Sequence, residues 1–176
     1  PNIIRKQGHD LIKNSGIPYT ILHCTWFADS FVIYRRKGTY AVIGDTRHPI
    51  YPTNCYNFAR HLEKAIGNPG ALSKEFPVQG HEGFTHPEAA GKFLAIFAPA
   101  AKVAPLPHGI IKMLALFKKE MKFIKHMSDY FRASKETFVA EKFGTYKVLG
   151  KPKLSLAEYA HKLKKEGIYE YLGEVN

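Results

Sequence analysis

The stretch Ser15-Gly16-Ile17-Pro18-Tyr19-Thr20-Ile21-Leu22-His23-Cys24-Thr25-Trp26-Phe27 combines a helix end, a tight turn, a strand and an aromatic loop. Upstream of it, residues 2–14 fit a helix with Ile3, Ile4, Leu11 and Ile12 on the apolar side. Gly16 stops that helix because glycine takes the left-handed conformation without strain, and Pro18 prevents its continuation. Tyr19 to Cys24 is a nearly continuous apolar run rich in β-formers, the pattern of a strand covered on both faces. A domain that started here would begin halfway through an α/β unit. The chain also begins with Pro1 rather than Met, so the expectation is the C-terminal part of a longer protein.

Further along, Tyr40-Ala41-Val42-Ile43 reads as a weaker strand, and Gly44-Asp45 as the turn after it. Asn54 to Ile66 reads as a helix with Phe58, Leu62, Ala65 and Ile66 inward. Glu75 to Gln79 is extended, and Pro77, which cannot donate to a ladder, suits it to an edge. Thr85-His86-Pro87-Glu88 is a capping box with proline in the first turn, opening a helix to about Phe97. A second box, Ser155-Leu156-Ala157-Glu158, opens a basic helix to about Glu166. Between the boxes the spacing predicts two helical stretches, Pro107–Arg132 and Lys135–Tyr146, with Pro99–Pro107 as a linker. Strands alternate with helices first, and helices alone follow. The predicted class is α/β: the C-terminal portion of a doubly wound parallel sheet over residues 1–98, then a helical tail over 99–176.

A chain of 176 residues is about one domain, and 45% hydrophobic residues suffice for a core. No apolar run is long enough to span a membrane as a helix. No signal peptide opens the chain, and Cys24 and Cys55 offer neither a disulfide framework nor a zinc spacing, so a reduced, cytoplasmic setting is expected. The net charge of +11 gathers in lysines after Ala101, such as Lys112, Lys118, Lys119, Lys122 and Lys125. Such a field could attract nucleic acid, anionic lipid or a phosphate-bearing cofactor. These lysines alternate with apolar residues at helical spacing, as solvated helix faces do. No nucleic-acid-binding motif accompanies them, and neither nucleic acid nor membrane is an expected partner. His81 and His86 lack further ligands at metal spacing, so no metal is expected either.

The helix, the Ser-Gly-Ile-Pro-Tyr-Thr-Ile-Leu strand, the Trp-Phe loop and Pro49-Ile50-Tyr51-Pro52 before Asn57-Phe58-Ala59 together resemble atypical short-chain dehydrogenase/reductases. The NmrA-like, sugar-epimerase-like branch is the most similar. Its members carry Ser-Gly-Leu-x-Tyr-Thr-Ile-Leu-Arg-Pro at the strand and Asp-x-Ala opening the next helix. Here the Arg-Pro pair is His23-Cys24, and the Asp is Asn57. Glu82-Gly83-Phe84-Thr85 through Ala89-Ala90 also resembles the family's segment before its following helix.

The resemblance implies a Rossmann-like NAD(P)-binding fold, NADP or NAD as cofactor, and hydride transfer to a small carbonyl or quinone-like substrate. An alternative is a non-catalytic, NADP-sensing regulator that binds a protein partner. The family's catalytic lysine falls at Arg5 or Lys6, with Lys6 the catalytic candidate; a lysine beside a tyrosine lowers that tyrosine's pKa for general-acid work. The loop His23, Cys24, Thr25, Trp26 and Phe27 follows the carboxyl end of the best strand, where such sheets bind ligands, and is the cofactor-binding candidate. Read without the resemblance, Lys6 is a surface residue, Cys24 a buried inert thiol, and Trp26 and Phe27 core packing. No Gly-x-x-Gly-x-x-Gly turn occurs, so these residues alone are expected to hold a dinucleotide weakly. The broad apolar helix from Pro107 is expected to cap the substrate cleft or to pair with another subunit in a homodimer.

Overall fold

Two pairs of parallel strands organise the chain in a computed structural model, which describes residues 2–44, 46–133 and 135–168. Helix α1 (Asn2–Asn14) ends at Gly16, whose φ of 74° is the left-handed turn expected there. Strand β1 (Thr20–Cys24) follows, then a short helix α2 (Ser30–Ile33) and strand β2 (Thr39–Ile43). Helix α3 (Cys55–Ala65) is capped by the Asn54 side chain, which accepts from the Asn57 backbone N–H. A single 3₁₀ turn (Pro69–Ala71) leads into strand β3 (Lys74–Val78), which pairs with β1. Helix α4 (His86–Phe97) opens on the Thr85–Glu88 capping box and leads to strand β4 (Lys102–Leu106), which pairs with β2. Helices α5 (His108–Phe117), α6 (Lys119–Ala133), α7 (Thr145–Leu149) and α8 (Leu156–Lys165) complete the chain, the last on its Ser155–Glu158 box. The chain is thus α/β, with every strand pair parallel among the described residues. Asp45 and the side chain of Ile3, both named from the sequence, lie outside what is described.

Helices α4 and α8 supply most of the main core. Ala89, Ala90, Phe93 and Leu94 of α4 meet Leu156, Tyr159, Ala160 and Leu163 of α8, over Phe31, Tyr40 and Val42. Small residues at Ala89, Ala90 and Ala160 let the two helices approach closely while the aromatics fill the flanks. A second cluster of Ala71, Phe76 and Leu149 sits under β3 and α7.

Five sequence expectations are corrected. Pro99–Pro107 is not a linker: residues 102–106 form β4, whose pairing with β2 tolerates Pro105 at an edge. The helix expected over Pro107–Arg132 breaks at Lys118, which is extended (φ −120°, ψ 118°), so that α6 folds back. Buried Ser128 of α6 there hydrogen-bonds His108 of α5 (2.9 Å) and stands where a Cβ on Gly44 would fall, 2.4 Å away. Residues 135–144 are not helical, because other groups claim their backbone, as shown below. Strand β1 is only half covered at every position rather than buried on both faces. The inward face of α3 is only in part the apolar one: Phe58 meets Phe27 and Ala65 packs on the second cluster, but the other two expected residues do not turn in. Ile66 is 82% and Leu62 44% exposed, whereas Asn57 and His61 are buried.

That reversal has a simple cause: α3 faces the polar backbone of residues 150–154. Asn57 donates to the Leu154 carbonyl (2.8 Å) and accepts from the N–H groups of Lys153 and Leu154 (3.0 and 3.1 Å). One turn on, His61 Nε2 meets the Gly150 carbonyl at 3.0 Å, and burial lowers its pKa, keeping the ring neutral. Replacing Asn57 by Ala strands those backbone groups in the interior. Asn57→Ala is expected to lower the unfolding free energy by about 3 kcal/mol in a urea titration, against under about 1 kcal/mol for exposed Leu62→Ala.

Candidate functional site

The carboxyl ends of β1 and β3 lie side by side, and three loops knit together just beyond them. The Trp26 carbonyl accepts from Thr53 N–H (2.9 Å) and Ala28 N–H donates to the Thr53 carbonyl (2.8 Å). Gly80 N–H donates to the Tyr51 carbonyl (3.0 Å), and a Cβ on Gly80 would lie 2.2 Å from the Pro52 carbonyl oxygen. Only glycine permits that approach. Ligands in open α/β sheets bind over this edge.

Gln79, the first residue after β3, is buried and crosses from this edge to the segment after α6. Its amide nitrogen donates to Glu136 Oε1 (2.8 Å) and the Thr137 carbonyl (3.0 Å). Its amide oxygen accepts from the N–H groups of Val139 (2.8 Å) and Ala140 (3.2 Å). Those bonds take the backbone groups a helix over 135–146 would need, which is why helix appears only from Thr145. Glu136 in turn accepts from the Thr25 hydroxyl (2.5 Å) and the Tyr51 N–H (3.3 Å). A carboxylate, an exposed hydroxyl and an amide therefore converge at the end of β1.

Trp26 forms the apolar side of the same edge. Its ring meets His86 edge-on (centroids 4.6 Å apart) and Phe131 of α6 (5.1 Å). Phe27 turns the other way, onto Phe58 of α3 (5.4 Å, edge-to-face). His86 is buried and its Nε2 lies 2.8 Å from the Tyr40 hydroxyl. Burial lowers the His86 pKa to about 4 and raises that of Tyr40, so a neutral imidazole faces a neutral phenol. The two share one hydrogen bond through His86 Nε2, and the buried Nδ1 has no hydrogen-bond partner among the described residues.

Of the remaining candidates, Cys24 is half-buried, and burial pushes its thiol up to about 12, so it is a thiol rather than a thiolate. His23 points to the α1 side of the sheet, where its Nε2 meets Glu75 Oε2 at 2.7 Å and its ring meets His9 edge-on at 5.1 Å. Lys13 pairs with the other oxygen of Glu75, and Lys13 first, then His23, holds that carboxyl below the usual range. Lys6 stands exposed on α1, two turns before Lys13. The structure thus gathers Cys24, Thr25, Trp26 and Phe27 at one edge and takes the His23 side chain to α1. Sequence reasoning passed over Gln79, Glu136 and the Tyr40–His86 pair. A glutamine followed by glycine at the end of an apolar strand was the available signal for the first of these.

Solved structures share this fold. An NADPH-dependent quinone oxidoreductase from Escherichia coli matches 89% of this chain at a TM-score of 0.60 and 17% identity. A nucleoside-diphosphate-sugar epimerase from Staphylococcus aureus matches the same share at 0.58 and 14%. The Citrobacter sp. triphenylmethane reductase complexed with NADP(H) does so at 0.60 and 16%. The chain spans 59% of the first of these proteins and 56% of the other two. No protein-family model matches the sequence, and no curated protein does.

The buried imidazole ties stability to acidity. An unfolded histidine titrates near 6.5 and His86 at about 4, so between those values the unfolded chain binds a proton that the folded chain refuses. Its contribution is full above about pH 6.5 and shrinks as the pH falls toward 4, by up to about 3 kcal/mol. Guanidinium unfolding at neutral pH and near pH 4.5 is expected to show a loss that His86→Gln flattens; an equal loss in both proteins would count against this account.

Proposed function

We propose that this chain is the C-terminal, substrate-side part of an NAD(P)-dependent oxidoreductase that transfers a hydride to a small carbonyl or quinone-like acceptor. The observation that carries the reading is the position of Thr25–Phe27 at the carboxyl end of β1, in a fold shared with reductases that are themselves NADPH-dependent or complexed with NADP(H). Bound reduced nicotinamide supplies the hydride. The chain's own residues fit the rest. Trp26 gives an apolar wall that excludes water, and the Thr25 hydroxyl and loop backbone offer polar partners for a carboxamide. Cys24 and His23 contribute backbone only, the former as a neutral thiol and the latter with its ring on the α1 side. On this reading Lys6, exposed on α1, holds a ribose and lowers the pKa of a partner tyrosine. Residues 1–98 then bring β1, β2 and β3, and residues 99–176 bring β4 and the helices that cover the substrate.

The protein on this view works in the cytoplasm, and no helix among the described residues is long and apolar enough to cross a membrane. A second reading, an NADP-sensing regulator with a protein partner, gains from the exposed apolar corner between α5 and α6. There Leu116 is 78% and Phe117 83% exposed, a surface suited to a partner or to a second copy in a homodimer.

Trp26 is the one tryptophan in the chain, and reduced nicotinamide absorbs where tryptophan emits. Saturable quenching of its emission by NADPH is expected, weak for this chain because its sequence holds no phosphate-binding glycine turn. Thr25→Ala is expected to weaken the quenching further. Emission that stays unchanged at millimolar NADPH, corrected against free tryptophan, would sink the placement of the nicotinamide. NADPH consumption with a small quinone then separates the readings: turnover supports the reductase, and binding without turnover supports the sensor.

A further inference from the structure

We propose that His9, His23 and Glu75 form a binding site for a late first-row divalent cation, Zn²⁺ being the best match, with solvent as the fourth ligand. The three residues come from three elements that the fold brings together. In the parallel register, Ile21 stands opposite Glu75 and His23 opposite Pro77. Side chains alternate faces along a strand, so His23, two residues past Ile21, shares the face of Glu75. Helix α1 runs beside that face and brings in His9 and Lys13. One donor atom from each residue then lies within 4.8 Å of the other two.

The chemistry of the donors selects the cation. Two imidazoles and one carboxylate suit Zn²⁺, whereas Mg²⁺ and Ca²⁺ favour all-oxygen shells. Metal–ligand bonds of about 2 Å in a tetrahedron put neighbouring donors roughly 3.3 Å apart. His23 Nε2 and Glu75 Oε2 at 2.7 Å would part slightly, the cation replacing the proton they share, and His9 would close in by a rotamer adjustment. All three side chains are partly exposed and held by one another and by Lys13, which leaves one coordination position facing water. Lys13 completes the arrangement: its ammonium holds the second oxygen of Glu75, which leaves the first to act as a single-point ligand. That ammonium also repels an incoming cation, and it sets a diagnostic sign.

None of this depends on the nicotinamide reading, since the Trp26 edge lies beyond the strand ends and this cluster lies on the sheet face. The chelator-stripped full chain is titrated with Zn²⁺ in competition with a chromophoric chelator at neutral pH. Expected is one equivalent bound with micromolar affinity, weakened at least about tenfold by His9→Ala, His23→Ala or Glu75→Gln, and strengthened by Lys13→Gln. His48→Ala and His81→Ala, remote in sequence from the cluster, are expected to leave affinity unchanged. Absence of Zn²⁺ binding, or binding indifferent to His9→Ala or His23→Ala, overturns the site. A second measurement serves where a variant fails to fold. Co²⁺ in the unmodified chain should give the intense visible absorption of a four-coordinate site, and the faint spectrum of a six-coordinate ion would overturn the proposal.

Discussion

Gln79 leaves the end of β3 with its side chain turned into the protein, and one amide there satisfies a carboxylate, a carbonyl and two backbone N–H groups of residues 136–140. An unpaired amide in that position would cost several kcal/mol, and so would the backbone groups it leaves behind, so the segment has little alternative to lying across the strand ends. Everything beyond follows from that lie. Glu136 reaches Thr25, the Thr145 hydroxyl donates to the Pro77 carbonyl (2.8 Å), and α7 starts where the last of these bonds permits. The polar half of the candidate site is a by-product of the same constraint, because Glu136 is held to the end of β1 by the residue that organises the backbone.

Local signals in the sequence carried much of the architecture. The Gly16 stop, the β1 run and both capping boxes are short-range effects, settled by groups within a few residues of each other, and each appears where those groups predict it. What escaped was decided at long range. β4 opens on a lysine and carries Pro105, so nothing local marks it, and it becomes a strand only because β2 offers it partners. The break at Lys118 has neither glycine nor proline; it exists because α6 gains Ser128 against His108 and Phe131 against Trp26 by turning back. For α3, Phe58 and Ala65 turn inward as the periodicity predicts while Leu62 does not, since the part of the helix that faces backbone buries Asn57 and His61 instead.

The site shows the same division. Thr25, Trp26 and Phe27 were legible because they follow a recognisable strand, and position after a strand is a one-dimensional fact. Glu136 was not, for nothing near it in the chain marks it; its role comes from the Thr25 hydroxyl and Gln79, both far away in sequence. His23 was legible as a residue but not as a direction. Alternation along β1 sends it to α1 and Glu75, so a residue expected beside one ligand joins a different cluster.

The pairing of α4 with α8 also bears on how the chain reaches its native state. Phe93 and Leu94 are covered by residues near the far end of the chain, and β1 and β2 find their partners only after a complete helix has intervened. Such a fold has few early rewards: long loops must close before the contacts that stabilise them exist, which slows the search. A ribosome-bound chain must emerge through Leu163 before the main core can shut. Until then the aromatic surface of α4 stands uncovered, so the kinetic hazard of this chain is concentrated in the interval between the synthesis of α4 and that of α8.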